Sequence, residues 1–238
     1  MPVTKEQMQV WCEALLAGRD AAPGLELVDY LEAIPRLDTL ADVPAGTPVL
    51  VRGDVDAKPG AEIGKGDVRL RSMVETLKYG RDKGWKQIIF GHIGRDPKGT
   101  LEKVASRLGD LLEQDVPLVK DWLDEATTTI SDDVQKQIEA VPDGAVLVLD
   151  NTRRYDIERV LWKAKSADLP NLVDGLAKLA NQFAEKIATV YVNEALSAGS
   201  LDASSTVVPA AMDRVALGKY IASEFDGPMR QCLKTQLV

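Results

Sequence analysis

The chain has 238 residues, 45% of them hydrophobic and 28% charged, which is long enough for one large domain or a domain with appendages and too apolar for a disordered chain. Its 37 acids outweigh 29 bases for a net charge of −8, which argues against nucleic-acid binding through a broad basic face. Two cysteines, Cys12 and Cys232, make no disulfide framework and fit a reducing cytoplasm, and a single histidine, His92, leaves no metal-ligand spacing.

Residues 1–33 read as one or two amphipathic helices, broken around 21–24 (AAPG). A first strand is expected over 48–52 (PVLVR), followed by a helix over 69–83 with Leu70, Met73, Val74 and Leu77 on one face. A second strand over 87–91 (QIIFG) leads to a helix over 100–112 carrying Leu101, Val104, Leu108, Leu111 and Leu112. Strands over 116–120 and 145–149 come next, then a long helix over 172–187, a strand over 189–192 and a weaker strand candidate at 206–208. Residues 219–238 read as a helix, a break at 227–228 (Gly-Pro) and a short tail. The apolar runs are continuous rather than alternating, as in strands buried on both faces. Strand–helix–strand repetition at this spacing predicts a three-layer α/β/α fold with a doubly wound, mostly parallel sheet. No apolar run reaches the roughly 18 residues of a membrane span, and the first 20 residues lack the continuous apolar segment of a secretory signal.

In such a sheet, ligands bind outside the carboxyl ends of the strands. The loops expected there are Gly53-Asp54-Val55-Asp56, Gly91 through Gly99, Asp150 through Arg154, and Asn193-Glu194-Ala195. Cations recur in them although the chain is acidic: His92 and Arg95 flank Gly94, and Arg153 follows the 145–149 strand. Guanidinium groups suit phosphate or carboxylate because their planar fork donates parallel charge-assisted hydrogen bonds. Arg69 opens a helix, where a cation opposes the macrodipole, so a nearby anion is expected to balance it. Taken singly, each has a plain structural role: Asp54 and Asp56 as turn caps, Arg153 in a surface ion pair.

Taken together, these stretches resemble the phosphoglycerate kinase family, specifically its N-terminal, acid-binding lobe. The family's V-R-V-D-F-N-V-P corresponds to Val51-Arg52-Gly53-Asp54-Val55-Asp56-Ala57-Lys58, and its D-x-R-[IL] to Asp67-Val68-Arg69-Leu70. Its S-H-x-G-R-P corresponds to Gly91-His92-Ile93-Gly94-Arg95-Asp96, and its [LV]-L-E-N-[TLV]-R to Val148-Leu149-Asp150-Asn151-Thr152-Arg153. Val192-Asn193-Glu194-Ala195-Leu196-Ser197 stands for V-N-D-A-F-G, and Ser204-Ser205-Thr206-Val207 for A-S-T-V. The matches are collinear over roughly 34–225. The resemblance implies an N-terminal helical extension over 1–33, a phosphoglycerate kinase-like lobe over 34–218, and an interlobe-type helix with a tail over 219–238. It also implies that Asp54 and Asp56 face the hydroxyl and carboxylate end of 3-phosphoglycerate. His92, Arg95 and Arg153 would bind its phosphate and surroundings, and Arg69 would stabilise the phosphoryl group in transfer.

Three departures stand out. The family has H-R-A-H, whose arginine contacts substrate phosphate, where this chain has Ser200-Leu201-Asp202-Ala203. Asp56 replaces the family's asparagine, and Asp96 replaces the proline of G-R-P. The nucleotide lobe is not in the sequence, so no cofactor is expected on this chain, and Mg-ATP or Mg-ADP would come only through a nucleotide lobe supplied from elsewhere. Three readings follow: a piece of a divergent kinase, one half of a two-chain kinase, or a non-catalytic lobe acting as an anion-binding or protein-interaction module. The expected partners are a small phosphorylated acid resembling 3-phosphoglycerate and a nucleotide lobe or other protein, with no nucleic acid and no membrane.

Overall fold

A computed structural model describes residues 2–20, 27–196 and 201–232. The elements in chain order are α1 (Lys5–Asp20), α2 (Leu27–Ala33), β1 (Pro48–Gly53), α3 (Val68–Asp82), β2 (Lys86–Phe90), α4 (Glu102–Leu112), β3 (Leu118–Val119), α5 (Asp132–Ala140), β4 (Val146–Leu149), α6 (Leu169–Lys186), β5 (Val190–Glu194), α7 (Ala203–Thr206), β6 (Arg214–Leu217) and α8 (Lys219–Glu224). The expected break around 21–24 lies outside the described residues.

Six strands form one sheet in the order β3-β4-β2-β1-β5-β6. Every pairing is parallel, with Leu50 of β1 opposite Ile88 of β2 and Tyr191 of β5. Successive side chains on a strand point to opposite faces, so the continuous apolar runs feed two cores. Leu50, Ile88, Leu147 and Tyr191 join Val134 and Ile138 of α5 and Leu176 and Phe183 of α6. Val49, Val51, Ile89 and Val148 join Leu70, Met73 and Leu77 of α3 and Val104 and Leu108 of α4. The three-layer architecture follows, with the chain winding outward from β1 to β2 and later returning to β5 on its other side.

α1 belongs to the first core. Met8, Cys12 and Leu16, one helical turn apart, are buried there. The helix is pinned at its start, where Val3 N–H donates to Asn181 Oδ1 (2.8 Å) and Asn181 Nδ2 donates back to Val3 O (2.9 Å). Trp11 Nε1 donates to Thr206 O at 2.7 Å.

Three sequence expectations change. Residues 206–208 are not a strand: Thr206 ends α7 and Val208 starts a 3₁₀ turn, where Val207 and Val208 fill the first core. The sixth strand is Arg214–Leu217 instead. The helix begun by α8 does not break at Gly227-Pro228. It widens into a π-helical stretch, Phe225–Met229, and continues through residue 232. A π turn moves the hydrogen-bond register by one residue, which accommodates a proline without ending the helix. The rest of the tail, 233–238, lies outside the described residues.

Candidate functional site

The carboxyl ends of β1, β2, β4 and β5 meet at one rim beside the winding reversal, where the chain pattern predicts a ligand crevice. Two clusters of charge stand there, one buried and one open.

The buried cluster is organised around Asp202, which is fully buried. His92 Nδ1 lies 3.2 Å from its carboxylate, Arg153 Nη2 3.3 Å and Arg52 Nη2 3.6 Å. Trp162 Nε1 donates to Asp202 Oδ1 at 2.8 Å, and the Arg153 guanidinium stacks over the same indole ring, 4.7 Å from its centroid. Burial by itself raises the Asp202 pKa. The His92 hydrogen bond and the nearby charges of Arg153, His92 and Arg52 outweigh it and hold the carboxyl below its ordinary range.

The three basic groups come from three strand ends. Arg52 is the penultimate residue of β1 and is fixed by donation to Gly53 O (2.6 Å) and Ser204 Oγ (3.1 Å). His92 follows β2 by two residues, and Arg52 Nη2 lies 2.9 Å from its Nδ1. That nitrogen therefore faces both Arg52 and Asp202. With its lone pair free it accepts from the guanidinium, and when protonated it donates to the carboxylate. Arg153 sits in the turn after β4, with Nη1 donating to Gly94 O at 2.6 Å. Gly91 is required here, because a Cβ would stand 2.7 Å from Arg52 Nη1 and 2.8 Å from Gly53 O. Asn151 ties the loops together, accepting from Ile93 N–H (3.2 Å) and donating to Gly99 O (3.0 Å).

Behind this cluster lies a second buried acid. Glu158 accepts from Thr152 Oγ1 (2.8 Å), Ser204 Oγ (2.5 Å) and Ser204 N–H (2.8 Å). Burial, with the Asp202 charge adding to it, raises its pKa.

The open cluster is Arg69 with Asp54 and Asp56. Arg69 Nη1 is 3.2 Å from Asp54 Oδ1 and 3.7 Å from Asp56 Oδ2, and its side chain is 42% exposed. These are the anions expected to balance the cation at the start of α3. Asp56 also accepts from Gly94 N–H at 2.9 Å, linking the loops after β1 and β2. Asp54, Arg69, Val68, Leu196 and Tyr220 line a shallow pocket of about 400 Å³.

The rim thus brings His92 and Arg153 together on Asp202, and Arg69 together with Asp54 and Asp56. Gly94 makes a tight turn at φ +59°, which leaves His92 buried and Arg95 exposed. Among the described residues no ion pair forms to Arg95. Sequence reasoning missed Arg52, Trp162 and Glu158 as members. An arginine ending an otherwise apolar strand was the available signal for Arg52, and nothing in the sequence pointed to the other two.

At the far side of the rim Glu194 ends β5 and caps α8. It accepts from Thr76 Oγ1 (2.6 Å), Tyr220 N–H (3.0 Å) and Ile221 N–H (3.4 Å). Among the described residues no group of three or more His, Cys, Asp or Glu side chains is placed to hold a metal ion, and no helix is long and apolar enough to cross a membrane.

Comparison with known proteins fixes the lineage. The family model described as phosphoglycerate kinase matches residues 40–236. The chain belongs to the phosphoglycerate kinase family. It is 31% identical over 204 residues to the phosphoglycerate kinase of Salinibacter ruber, covering 81% of this chain and 46% of that one. It is 32% identical over 169 residues to the cytosolic phosphoglycerate kinase of Triticum aestivum, covering 68% of this chain and 36% of that one. The crystal structure of phosphoglycerate kinase from Pyrococcus horikoshii superposes with a TM-score of 0.61 at 24% identity, covering 83% of this chain and 45% of that one. That likeness shows the fold alone. The chain spans less than half the length of these phosphoglycerate kinases. It corresponds to a single lobe of a divergent member.

Proposed function

We propose that this lobe binds a small phosphorylated carboxylic acid of the 3-phosphoglycerate type at the carboxyl rim of its sheet. In this reading, phosphoryl transfer to or from ADP or ATP proceeds only when a nucleotide lobe is supplied. The observation that carries the reading is the convergence of Arg52, His92 and Arg153, from three separate strand ends, on one buried carboxylate. Such a convergence supports an anion-receiving site, because it gathers two guanidinium groups and an imidazole in a place closed to water.

Arg69 and Arg95 are the cations on the solvent side of that site. Arg69, held between Asp54 and Asp56, would meet the spread charge of a phosphoryl group in transfer, where a positioned arginine contributes about 10³-fold or more. Asp54 and Asp56 would take the hydroxyl end of the acid, since carboxylates accept and do not donate. Transfer further requires both substrates in line in a water-poor space, which a second lobe closing over the rim would provide. Magnesium and nucleotide would be held by that lobe. The free cysteines Cys12 and Cys232 and the likeness to the cytosolic phosphoglycerate kinase of wheat support a cytosolic setting.

Titration calorimetry with 3-phosphoglycerate tests the reading on the chain and on Arg69→Ala and Arg95→Ala. Each substitution is expected to weaken binding about tenfold or more, the worth of one charge-assisted hydrogen bond. Identical or absent heats in all three proteins overturn it.

A second reading, a non-catalytic lobe acting as an anion-binding or protein-interaction module, is favoured by the presence of the chain's own carboxylate among the inner cations. Assaying turnover with and without a separately supplied nucleotide lobe discriminates, since this reading expects none in either case.

A further inference from the structure

The inner cations hold their partner loosely. Charge-assisted N–H···O contacts normally run about 2.7–2.9 Å. Here the three basic groups stand 3.2, 3.3 and 3.6 Å from Asp202, and only the neutral Trp162 N–H reaches it at 2.8 Å. One carboxylate with two oxygens is bridging a space between groups fixed elsewhere. Arg52 is anchored by Gly53 O and Ser204, and Arg153 by Gly94 O, so neither can close in on it.

The backbone leading into Asp202 is also held out of its preferred shape. Leu201 has φ +57°, in the left-handed region that a leucine side chain disfavours. Strain of this kind persists where surrounding contacts over-determine it. Asp202 supplies those contacts on one side through its carboxylate. On the other, its carbonyl accepts from Ser205 N–H (2.9 Å) and Thr206 N–H (3.0 Å) at the start of α7.

Charge completes the picture. The buried charged groups of this cluster are two guanidiniums, Arg52 and Arg153, the imidazole of His92, and two acids, Asp202 and Glu158, while Asp54 and Asp150, also buried at the rim, pair with Arg69 and Arg154. Asp202 lies among the cations, whereas Glu158 sits behind Ser204 and spends its acceptors on hydroxyls and a backbone N–H. Removal of the Asp202 charge would leave the cations without the anion they surround.

We propose that Asp202 is an internal ligand of this anion site: a specificity-determining residue whose carboxylate takes the place of an incoming phosphate or carboxylate and lowers the lobe's affinity for it. The proposal deepens the acid-binding reading above and rests on it for the natural ligand, though not for the site itself. An external anion gains the inner cations only by displacing Asp202 or by sharing them against like-charge repulsion. Asp202→Asn keeps the shape, removes the charge and opens the site to anions from solution.

The test uses inorganic phosphate and 3-phosphoglycerate as probes, with Asp202→Glu as a charge-retaining control. Phosphate is expected to raise the melting temperature of Asp202→Asn more than that of the native chain or the control. Binding of 3-phosphoglycerate to Asp202→Asn should tighten about tenfold or more. Should Asp202→Asn not fold in buffer alone, refolding in excess phosphate but not in chloride of equal ionic strength supports the proposal, and failure in both overturns it. A folded Asp202→Asn that responds to neither probe more than the native chain also overturns it. The two readings separate cleanly. Response to phosphate without any response to 3-phosphoglycerate keeps Asp202 as the internal ligand and removes the acid-binding function. Equal binding of 3-phosphoglycerate to both proteins does the reverse.

Discussion

The Glu194 carboxylate fills the space directly against the Gly218 α-carbon: a Cβ there would stand 2.0 Å from Oε2 and 2.4 Å from Cδ. Glu194 is buried and uses both oxygens on Thr76 and the first N–H groups of α8, so it cannot swing away without abandoning them. Gly218→Ala is therefore expected to cost about 2–3 kcal/mol in denaturant unfolding, as overpacking does where neighbours are fixed. A cost below half of that would mean α8 shifts freely.

Asp202→Asn should destabilise the chain by about 3–5 kcal/mol at neutral pH in phosphate-free buffer, because it leaves buried guanidiniums unpaired. The cost depends on pH with a definite sign. The native Asp202 pKa lies below the ordinary 3.8, so its contribution is complete above that value and is lost as pH falls through the lower folded value. The gap between the two proteins should narrow only in that acid range. Urea titrations at a series of pH values measure it, and a gap that does not change with pH contradicts the assignment.

Glu158 has the opposite sign. Burial raises its pKa above the ordinary 4.5, so the folded chain binds the proton more tightly than the unfolded one, and stability is lost as pH rises from 4.5 through the folded value. Glu158→Gln removes that loss. Relative to the native protein, it should gain stability progressively over this window and stay level below it, as read from thermal unfolding against pH.

Arg69→Ala is expected to separate function from stability. Its contacts to Asp54 and Asp56 are at a half-exposed side chain, where an ion pair is worth about 0–1 kcal/mol. Turnover with a supplied nucleotide lobe should nevertheless fall about 10³-fold. A large loss of stability with unchanged turnover would reverse the two roles.

The two thiols should differ in reactivity. Cys12 is buried in the first core and its pKa is pushed up to about 11 by burial, whereas Cys232 is exposed. Alkylation of the folded protein at neutral pH should modify Cys232 alone, and Cys12 only after unfolding. Mass mapping of the labelled protein checks this.

The central strands were legible because burial on both faces leaves an uninterrupted apolar run, as in QIIF and VLVL. β6 was not, since an edge strand needs less: Val215 is 38% exposed and Arg214 starts it. The β-branched 206–208 stretch misled for the complementary reason, because core packing at a helical turn uses the same side chains. α5 went unseen with only Val134 and Ile138 buried along nine residues. The rim itself was readable from strand ends alone. The partner of its cations was not: Asp202 stood out in the sequence as a foreign charge, but only tertiary folding brings it onto Arg52, His92 and Arg153.

The docking of α1 onto α6 has a consequence for how the chain is made. The stripe of Met8, Cys12 and Leu16 is translated well before the helix it packs on, which runs as far as Phe183. At about 5–20 residues per second, roughly 10–35 s pass before that surface exists. Through that interval α1 carries an uncovered oily strip, so chaperone demand during synthesis should drop sharply when Met8 and Leu16 are made polar, even as the finished protein weakens.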